Sequence, residues 1–505
     1  MKTAVIILLM LHGLIHLMGF VKAFGIVEIS ELALPISRGW GLLWLAAALT
    51  LLTAGILRFL NLEHWWMAAL IGVVLSQILI FVFWQDARFG TIPNVIIMIV
   101  LIAGILRHSP PEPFTEREPA PFEERYGIND GSSPAGQRLF SPFELEIDPM
   151  ERLLLINIEN DPDSLYVGFE PQVFDDEING SGMLVIGWRI DGRVDVYHQP
   201  GLTLDPGKYD IAGKGLAQMA ERRMEGARFD ITEKGVQSDI TFTDLKGRTV
   251  ELRIEERSDR TRKPFGLLAP MGIAAENPSG MPLILLHDFY FVRRNNTEYT
   301  VKIDSRYHEP DKLPIPMDYS RMYFARYSPD LLILLLNPAF NGKLDPLSEP
   351  DGNTVIDGDT RYNLALNNNV HEISSLSRTH NRHKVTMVFS PSFPNLEAFT
   401  GRSAEGVFEI AGHESAGVVR GEYTVENNDG RIRVELNPSG GWIPNEKKFS
   451  VRFLYRVVPM FRNWPTTYRW TARLNKDESG VMKMNSSWER INMEGQTKNL
   501  KRENK

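Results

Sequence analysis

Long apolar stretches alternate with short polar breaks over the first 107 residues of the chain. Four stretches have the roughly 20 predominantly apolar residues that a helix needs to cross a bilayer; they cover residues 3–20, 39–59, 65–84 and 89–106. The charged residues lie in the breaks, and tryptophans fall near the stretch ends, where amphipathic rings prefer the headgroup level. We therefore predict a four-span transmembrane bundle (residues 1–107) in a multi-pass membrane protein, rather than the buried helical core of a soluble one.

The first stretch has a second interpretation, a cleaved signal peptide. A lysine inside the candidate cleavage site and three further spans behind it argue against this interpretation. Four retained spans place both ends of the bundle on the same side of the membrane. The basic residues divide evenly, with Lys2, Arg58 and Arg107 on one side and Lys22, Arg38 and Arg88 on the other. Charge alone therefore does not set the orientation.

Several polar side chains lie within or at the ends of the spans, where lipid makes them costly unless they meet a partner or a cavity. They include His12, His16, Ser76, Gln77, Asp86 and Arg88. His12 and His16 are four residues apart and so share one helix face. One hypothesis is a small ligand site formed by His12, His16, Gln77, Asp86 and Arg88, for a quinone headgroup, a haem or a metal ion. The alternative is interhelical hydrogen bonding that fixes helix packing.

The segment from Leu11 to Lys22, with its Gly-x-x-Lys helix end, and the four short spans resemble DoxX-type membrane proteins. Those are small four-helix bundles, some of them associated with quinone-linked redox work. The resemblance covers the N-terminal fifth of the chain. The resemblance implies a helical bundle. The identity of any cofactor does not follow from the sequence.

Residues 108–140 differ abruptly in composition from the spans. Prolines recur up to residue 121, and a Gly-Ser-Ser-Pro-Ala-Gly run follows at 131–136. Such a stretch favours extended, solvated backbone. We predict an unburied linker here, and the clearest domain boundary of the chain.

From residue 143 onward, short runs of alternating polar and apolar residues are separated by turn residues, a pattern typical of antiparallel strands. Hairpins are predicted around Asp191-Gly192, Lys246-Gly247 and Asp429-Gly430, because these dipeptides favour tight turns. A single short helix is predicted at residues 216–225. The region is therefore predicted to be all-β, an antiparallel barrel or sandwich.

This β region is too long for one ordinary barrel or sandwich. Residues 337–350, rich in Asn, Gly, Asp and Pro, form a plausible seam. We predict two β lobes, at 141–336 and 337–492, followed by a disordered polar tail at 493–505.

Composition excludes several functions. The chain carries 63 acidic and 55 basic residues and no basic stripe, so no nucleic-acid partner is expected. The absence of cysteine rules out disulfides, thiolate metal sites and cysteine nucleophiles. Phosphate-binding loops, serine nucleophile elbows and zinc-binding helices are not found, and no metal site is predicted.

An enzyme would need convergent titratable groups. The best catalytic candidates are His198, His287, Asp288 and His308, because histidine titrates near neutrality and a carboxylate can orient it. The alternative is that each is a strand-end or turn residue whose polar atoms are satisfied by the backbone.

Residues 181–328, with the sequences His-Gln-Pro at 198–200 and His-Asp-Phe-Tyr at 287–290, resemble uncharacterised soluble bacterial proteins. If relatives of this region lack membrane spans, the β region is expected in the cytoplasm, attached to a bacterial inner membrane. In architecture alone, the two-lobed β layout is similar to lipocalin-related hydratase and cyclase families of isoprenoid metabolism.

Three functional hypotheses follow. The protein is a membrane-anchored binding protein for an apolar or lipid-like molecule; a lipid- or isoprenoid-modifying enzyme of hydratase, isomerase or cyclase type; or a membrane-tethered protein-interaction scaffold. The partners expected are the bilayer and an apolar small molecule, and the oligomeric state does not follow from the sequence. A cavity of several hundred Å³ would favour the first two hypotheses, and a filled core would favour the third.

Overall fold

The computed structural model describes residues 2–27, 29, 32–60, 62, 65–106, 112–127, 138–210, 212–270, 278–314, 316–329, 331–381, 383–458, 460–478 and 480–491. The chain forms two compact units, Met1–Ser109 and Pro110–Lys505.

The first unit is helical. Its helices are α1 (Lys2–Ala23), α2 (Arg38–Phe59), α3 (Trp65–Val82), α4 (Trp84–Ala87) and α5 (Thr91–Leu106), with a 3₁₀ turn at Arg88–Gly90. Four segments are long and apolar enough to cross a membrane: Thr3–Ala23, Arg38–Phe59, Trp65–Val82 and Trp84–Ile102. The 22 residues of α1 measure about 33 Å, against a hydrocarbon core of about 30 Å. The predicted four spans are confirmed.

The fourth span begins earlier than predicted. The chain leaves helical geometry at Phe83, with φ −110° and ψ 41°, so Trp84 belongs to the fourth span rather than the third. Asp86 and Arg88 therefore lie at the start of the fourth span.

Small residues let α1 and α2 approach closely. Ala47, Ala48 and Ala54 of α2 are fully buried. A side chain at Gly19 of α1 would lie 2.2 Å from the ring of Trp44. Close backbone approach through small residues is typical of helix pairs in membranes.

The second unit is mostly β. Its described strands are β1 (Leu145–Asp148), β2 (Arg152–Asn157), β3 (Tyr166–Asp176), β4 (Gly180–Arg189), β5 (Val194–His198), β6 (Leu216–Glu221), β7 (Glu225–Thr232), β8 (Gly235–Thr243), β9 (Thr249–Glu256), β10 (Phe265–Leu268), β11 (Met281–Arg293), β12 (Thr297–Ile303), β13 (Arg306–His308), β14 (Met322–Ser328), β15 (Leu331–Leu336), β16 (Phe340–Lys343), β17 (Thr354–Asp357), β18 (Thr360–Asn367), β19 (Val370–His380), β20 (His383–Phe393), β21 (Ser403–Ala411), β22 (Val418–Asn428), β23 (Arg431–Ile443), β24 (Tyr468–Lys476) and β25 (Met482–Arg490). Its short helices are α6 (Phe122–Tyr126), α7 (Phe449–Val457) and α8 (Met460–Asn463).

The first sheet has the strand order β1-β15-β11-β14-β2-β3-β4-β5-β6, with β10 paired to β11. Its last pair, β5 and β6, is parallel. The helix predicted at residues 216–225 is wrong, because Leu216–Glu221 is the edge strand β6. Its Ala, Gln, Met and Glu residues favour a helix, but pairing with β5 overrides that local preference.

The second sheet, ordered β13-β12-β9-β8-β7, packs on one face of the first. The ring of Phe242 on β8 lies 4.8 Å from that of Tyr197 and 6.4 Å from that of Phe169. Residues on one face of a strand alternate with those on the other. The even-numbered neighbours of Phe169 on β3 therefore point away from the second sheet.

The third sheet is a ten-stranded antiparallel meander, ordered β16-β25-β24-β23-β22-β21-β20-β19-β18-β17. Laid flat, ten strands would span about 43 Å. The chain between the edge strands, from Lys343 to Thr354, reaches at most about 40 Å when fully extended. The sheet must therefore curl, and it forms a half-barrel. Phe143, Phe389, Phe393 and Trp470 fill its interior with ring centroids 4.7–5.8 Å apart.

The predicted all-β fold of this region and its three predicted hairpins are confirmed. Strands up to Leu336 form the first two sheets, and strands from Phe340 form the third. All three contribute to one hydrophobic core. The domain bounds at 107, 140, 336 and 492 stay a prediction, and the tail at 493–505 lies outside the described residues.

The segment predicted as an unburied linker is partly buried. Phe122, Arg125 and Tyr126 of α6 are buried. The Tyr126 hydroxyl donates to Glu372 Oε1 at 2.7 Å, and Arg125 Nε lies 3.2 Å from the same oxygen. The expectation that this whole stretch stays solvated is therefore wrong for Phe122, Arg125 and Tyr126, because Arg125 and Tyr126 pair with Glu372 of strand β19 and all three side chains are buried.

Candidate functional site

A cavity of about 680 Å³ lies against the first sheet. Strand residues line it at alternate positions, as expected for one face of a sheet. On β3 these are Glu170, Gln172 and Phe174, which point away from the second sheet. The main apolar contributors from other elements are Leu155, Ile186, Ile284, Phe324, Ile333 and Leu335.

Apolar residues of central strands remain half-buried where they face this cavity. Ile284 on β11 and Ile333 on β15 pair across the two strands, and both are half-buried although their sequence neighbours are buried. Apolar surface left uncovered costs about 25 cal/mol per Å² relative to burial. A ligand with an apolar body would therefore gain free energy by covering these side chains.

Glu170 is the most deeply buried carboxyl group of the lining. Its two carboxylate oxygens accept hydrogen bonds from Gln172 Nε2 at 2.8 Å and Trp188 Nε1 at 3.0 Å. Burial raises the pKa of Glu170 above its ordinary value, and the donors from Gln172 and Trp188 and the charge of Arg326 only partly oppose this rise.

Arg326 on β14 is the cationic group of the interior lining. Its Nη1 donates to Asn157 Oδ1 at 2.6 Å and to the Phe324 carbonyl at 3.2 Å. The guanidinium also lies 4.7 Å from the centroid of the Phe324 ring. Burial lowers the pKa of Arg326, opposed mainly by the charge of Glu170; a guanidinium remains protonated at physiological pH.

Strand register fixes the spacing of the two interior charges. Arg326 pairs with Leu155. Leu153 pairs with Gln172 and Ile156 with Phe169, so Leu155 lies opposite Glu170. The backbone positions of Arg326 and Glu170 are therefore two strand spacings, about 10 Å, apart. Leu155 separates them.

The rim of the cavity is charged and reaches the surface. Asp205 and Gly207 are exposed lining residues, so the cavity opens beside them. Lys208 pairs with Asp148 Oδ1 at 2.9 Å, which joins the segment after β5 to strand β1. On another side, Tyr455 of α7 lines the cavity and donates to the Gly266 carbonyl at 2.5 Å.

The four predicted catalytic residues do not line this cavity. His198 Nδ1 contacts its neighbour's carbonyl at 3.1 Å, and His308 Nδ1 contacts the Asp161 carbonyl at 2.9 Å. The His287 ring stacks on His413 with centroids 4.4 Å apart.

Asp288 forms a bidentate ion pair with Arg262. The four residues thus contact different partners, and the structure records no shared site for them. Their catalytic roles stay predictions.

In the helical unit, three helices share a polar cluster. His12 Nε2 lies 2.8 Å from Asn94 Oδ1 and 3.2 Å from Ser76 Oγ. Asn94 Nδ2 donates to Ser76 Oγ at 2.9 Å and to Gln77 Oε1 at 3.0 Å, and Gln77 donates to Thr91 Oγ1 at 3.3 Å. The cluster joins α1, α3 and α5, the geometry expected of interhelical hydrogen bonding.

His16 lies beside this cluster. Its Nδ1 contacts the His12 carbonyl at 2.9 Å, and its ring centroid lies 5.1 Å from that of Trp44. Neither His16 Nε2 nor Trp44 Nε1 has a hydrogen-bond partner among the described residues. A small polar ligand at this place stays a prediction.

Asp86 and Arg88 make other contacts. Asp86 Oδ2 accepts from the backbone N–H of Leu34 at 2.8 Å, and the Arg88 guanidinium lies 5.1 Å from the Phe89 ring centroid. The structure records no contact from either residue to His12 or His16. The five residues predicted as one ligand site therefore divide into the polar cluster and the helix-end contacts.

Sequence reasoning missed Glu170, Gln172, Arg326 and Asn94. Polar residues at alternate positions of β3 are typical of a solvated strand face, so Glu170 and Gln172 carried no signal of a cavity. Asn94 did carry one, because an amide within an apolar span calls for a partner.

No group of three or more His, Asp or Glu side chains suited to a metal ion occurs in the described part of the chain. Comparisons with protein-family models, with curated proteins and with solved structures found no match. Function is therefore inferred from the geometry of the site.

Proposed function

We propose that the protein is a membrane-anchored binding protein whose β unit holds an apolar or lipid-like small molecule in the cavity of the first sheet. The observation that carries this proposal is the 680 Å³ cavity lined by half-buried apolar side chains with few polar groups. Ligand pockets of proteins have volumes of roughly 300–1,000 Å³ and this kind of lining. A filled interior such as that of the half-barrel would by itself favour a scaffold, so the cavity of the first sheet is what favours ligand binding over that hypothesis.

The four spans are consistent with a ligand that partitions into membranes, because they keep the protein where such molecules concentrate. Within this proposal the membrane is a bacterial inner membrane and the β unit is cytoplasmic. Protease digestion of sealed inverted and right-side-out vesicles tests the orientation. Cleavage between residues 112 and 121 only in inverted vesicles supports it, and cleavage only in right-side-out vesicles contradicts it.

Photocrosslinking tests the binding function directly. Hexadecanol carrying a diazirine at its chain end is added to the full-length protein in nanodiscs, irradiated, and its attachment sites are mapped by mass spectrometry. We expect labelled peptides from strands β11, β14 and β15. Probe dissolved in the bilayer will also label the membrane-spanning helices α1 to α5, and this labelling serves as the internal reference for the labelling of the cavity strands.

A matched pair of variants sharpens this experiment. Ile284→Trp places a large ring in the cavity, whereas Ile190→Trp makes the same change at an exposed position. Cavity labelling should fall at least fivefold in Ile284→Trp and stay unchanged in Ile190→Trp. Labelling confined to the spans, or equal cavity labelling in all three proteins, would refute the binding function.

The environment of Glu170 supports the enzyme hypothesis. A buried carboxyl with a raised pKa in a ligand cavity has the property of a general acid. If the protein acts on isoprenoid lipids, the wild type should convert an added membrane lipid extract to products of changed mass (hydration) or of unchanged mass but changed chromatographic retention (isomerisation or cyclisation), and Glu170→Gln should not. Identical extracts before and after incubation with the wild type would leave only the binding function.

A further inference from the structure

We infer that the cavity ligand is a single-chain amphiphile with a carboxylate headgroup, and that Arg326 binds this headgroup. The inference rests on the proposed binding function and names its ligand class. Its starting point is a cation in an interior lined mainly by apolar side chains.

Arg326 has hydrogen-bonding capacity to spare. Of its guanidinium nitrogens, Nη1 makes both recorded hydrogen bonds, to Asn157 and to the Phe324 carbonyl. Nε and Nη2 have no partner in the described part of the chain. The residue is half-buried and lines the cavity, so its remaining surface faces the ligand space. Planar guanidinium donors match the two oxygens of a carboxylate.

The charge of Arg326 lacks a close counter-charge. No carboxylate of the described residues lies within ion-pair distance of it, whereas Arg293, on neighbouring β11, pairs with Glu256 at 2.9 Å. The opposing charges that act on Arg326 are those of Glu170 and Glu159. Leu155 lies between Arg326 and Glu170, whose oxygens already accept from Gln172 and Trp188. Glu159 is exposed and accepts from Asn157 Nδ2 at 2.9 Å instead. A charge that is partly withdrawn from water is stabilised by pairing, and a ligand carboxylate would supply the partner.

The rest of the lining fits the remainder of such a molecule. Ile284, Ile333 and Leu335 offer half-buried apolar surface to an acyl chain. The rim residues Glu146, Asp148 and Asp205 are acidic, and Lys208 is already paired with Asp148. Rim charges are screened by salt over about 8 Å. Recognition is therefore assigned to Arg326 and not to attraction at the entrance.

The test compares two photoreactive probes that differ only at the headgroup, a diazirine hexadecanoic acid and the matched hexadecanol. Labelling of β11, β14 and β15 is measured against probe concentration at pH 7.5 in the full-length protein in nanodiscs. We expect half-saturation by the acid at a concentration about tenfold lower than by the alcohol, as for a hydrogen-bonded charge.

Arg326→Gln should remove the preference for the acid, and residual labelling of the cavity strands by the alcohol would show that the cavity is still folded; a preference that persists in Arg326→Gln would overturn the role of Arg326. Arg326→Lys should keep part of the preference, and Lys208→Gln should keep all of it. A wild type that is labelled equally by both probes overturns the inference but leaves the binding function intact. A wild type whose cavity is labelled by neither probe overturns both.

Discussion

Glu256 connects the second sheet to the wall of the cavity, and its replacement by glutamine should be strongly destabilising. The side chain of Glu256 is fully buried and accepts four hydrogen bonds. Its Oε1 accepts from Arg293 N at 3.0 Å and Arg293 Nε at 2.9 Å. Its Oε2 accepts from Val236 N at 3.0 Å and the Tyr327 hydroxyl at 3.2 Å.

Glutamine keeps the shape but has one acceptor oxygen. If that oxygen faces Arg293, the new amide NH₂ meets the N–H of Val236, and a buried donor loses its partner at a cost of about 1–3 kcal/mol. The buried Arg293 also loses its counter-charge. Removing one member of a buried ion pair typically costs about 3–5 kcal/mol in total. We expect Glu256→Gln to lower the free energy of unfolding by that amount.

Glu255→Gln is the matched control, because it makes the same chemical change on the opposite, exposed face of the same strand. Glu255 pairs with Arg257 at 2.9 Å, but 60% of that arginine side chain is exposed, and exposed pairs contribute little. The measurement is denaturant unfolding of the full-length protein in detergent, followed by tryptophan fluorescence. Equal midpoints for the two variants would refute the assignment of Glu256 as a central structural anchor.

Three further predictions concern other parts of the chain. Ile284→Trp should change the unfolding free energy by less than about 1.5 kcal/mol, because its added atoms enter existing space; a larger loss in denaturant unfolding would mean that the cavity is not available. Burial raises the pKa of Glu397, but Arg138 and Lys476 outweigh this effect and hold the pKa at about 2. The ionised Glu397 therefore stabilises the fold above pH 4.5, and this stabilisation is lost as the pH falls through 2. Glu397→Gln should flatten the dependence of unfolding free energy on pH over that range, and parallel curves for variant and wild type would contradict the pairing. A double-mutant cycle of His12→Leu and Asn94→Leu should give a coupling of about 0.6–1.7 kcal/mol, and zero coupling would argue against their hydrogen bond.

The elements that the sequence predicted correctly are those set by local or solvent constraints. A bilayer demands about 20 apolar residues per helix, so hydropathy located all four spans. Asp-Gly turns favour hairpins on their own, and Gly192 of the β4–β5 turn adopts φ +85°. The exception, β6, was predicted as a helix because its composition favours one, whereas pairing with β5 is what decides its conformation.

The cavity depends on contacts that no local pattern encodes. Arg326 pairs with Leu155, a residue 171 positions earlier in the chain, and only that pairing places Arg326 in the sheet that lines the cavity. Similarly, Glu170, Gln172 and Phe174 of β3 line the cavity because the second sheet covers the opposite face of that strand. The predicted histidines are chemically suitable residues, but chemical suitability alone does not bring them to one place.

The proposed function requires that the cavity of the first sheet is a ligand site. The most direct test is mass spectrometry of the small molecules that copurify with the protein. Wild type, Ile284→Trp and Ile190→Trp are purified in parallel, extracted with organic solvent, and the extracts are compared per mole of protein. We expect extracts of wild type and Ile190→Trp to contain long-chain carboxylic acids, and extracts of Ile284→Trp to be depleted in them. Identical extracts from all three proteins would contradict the proposed function.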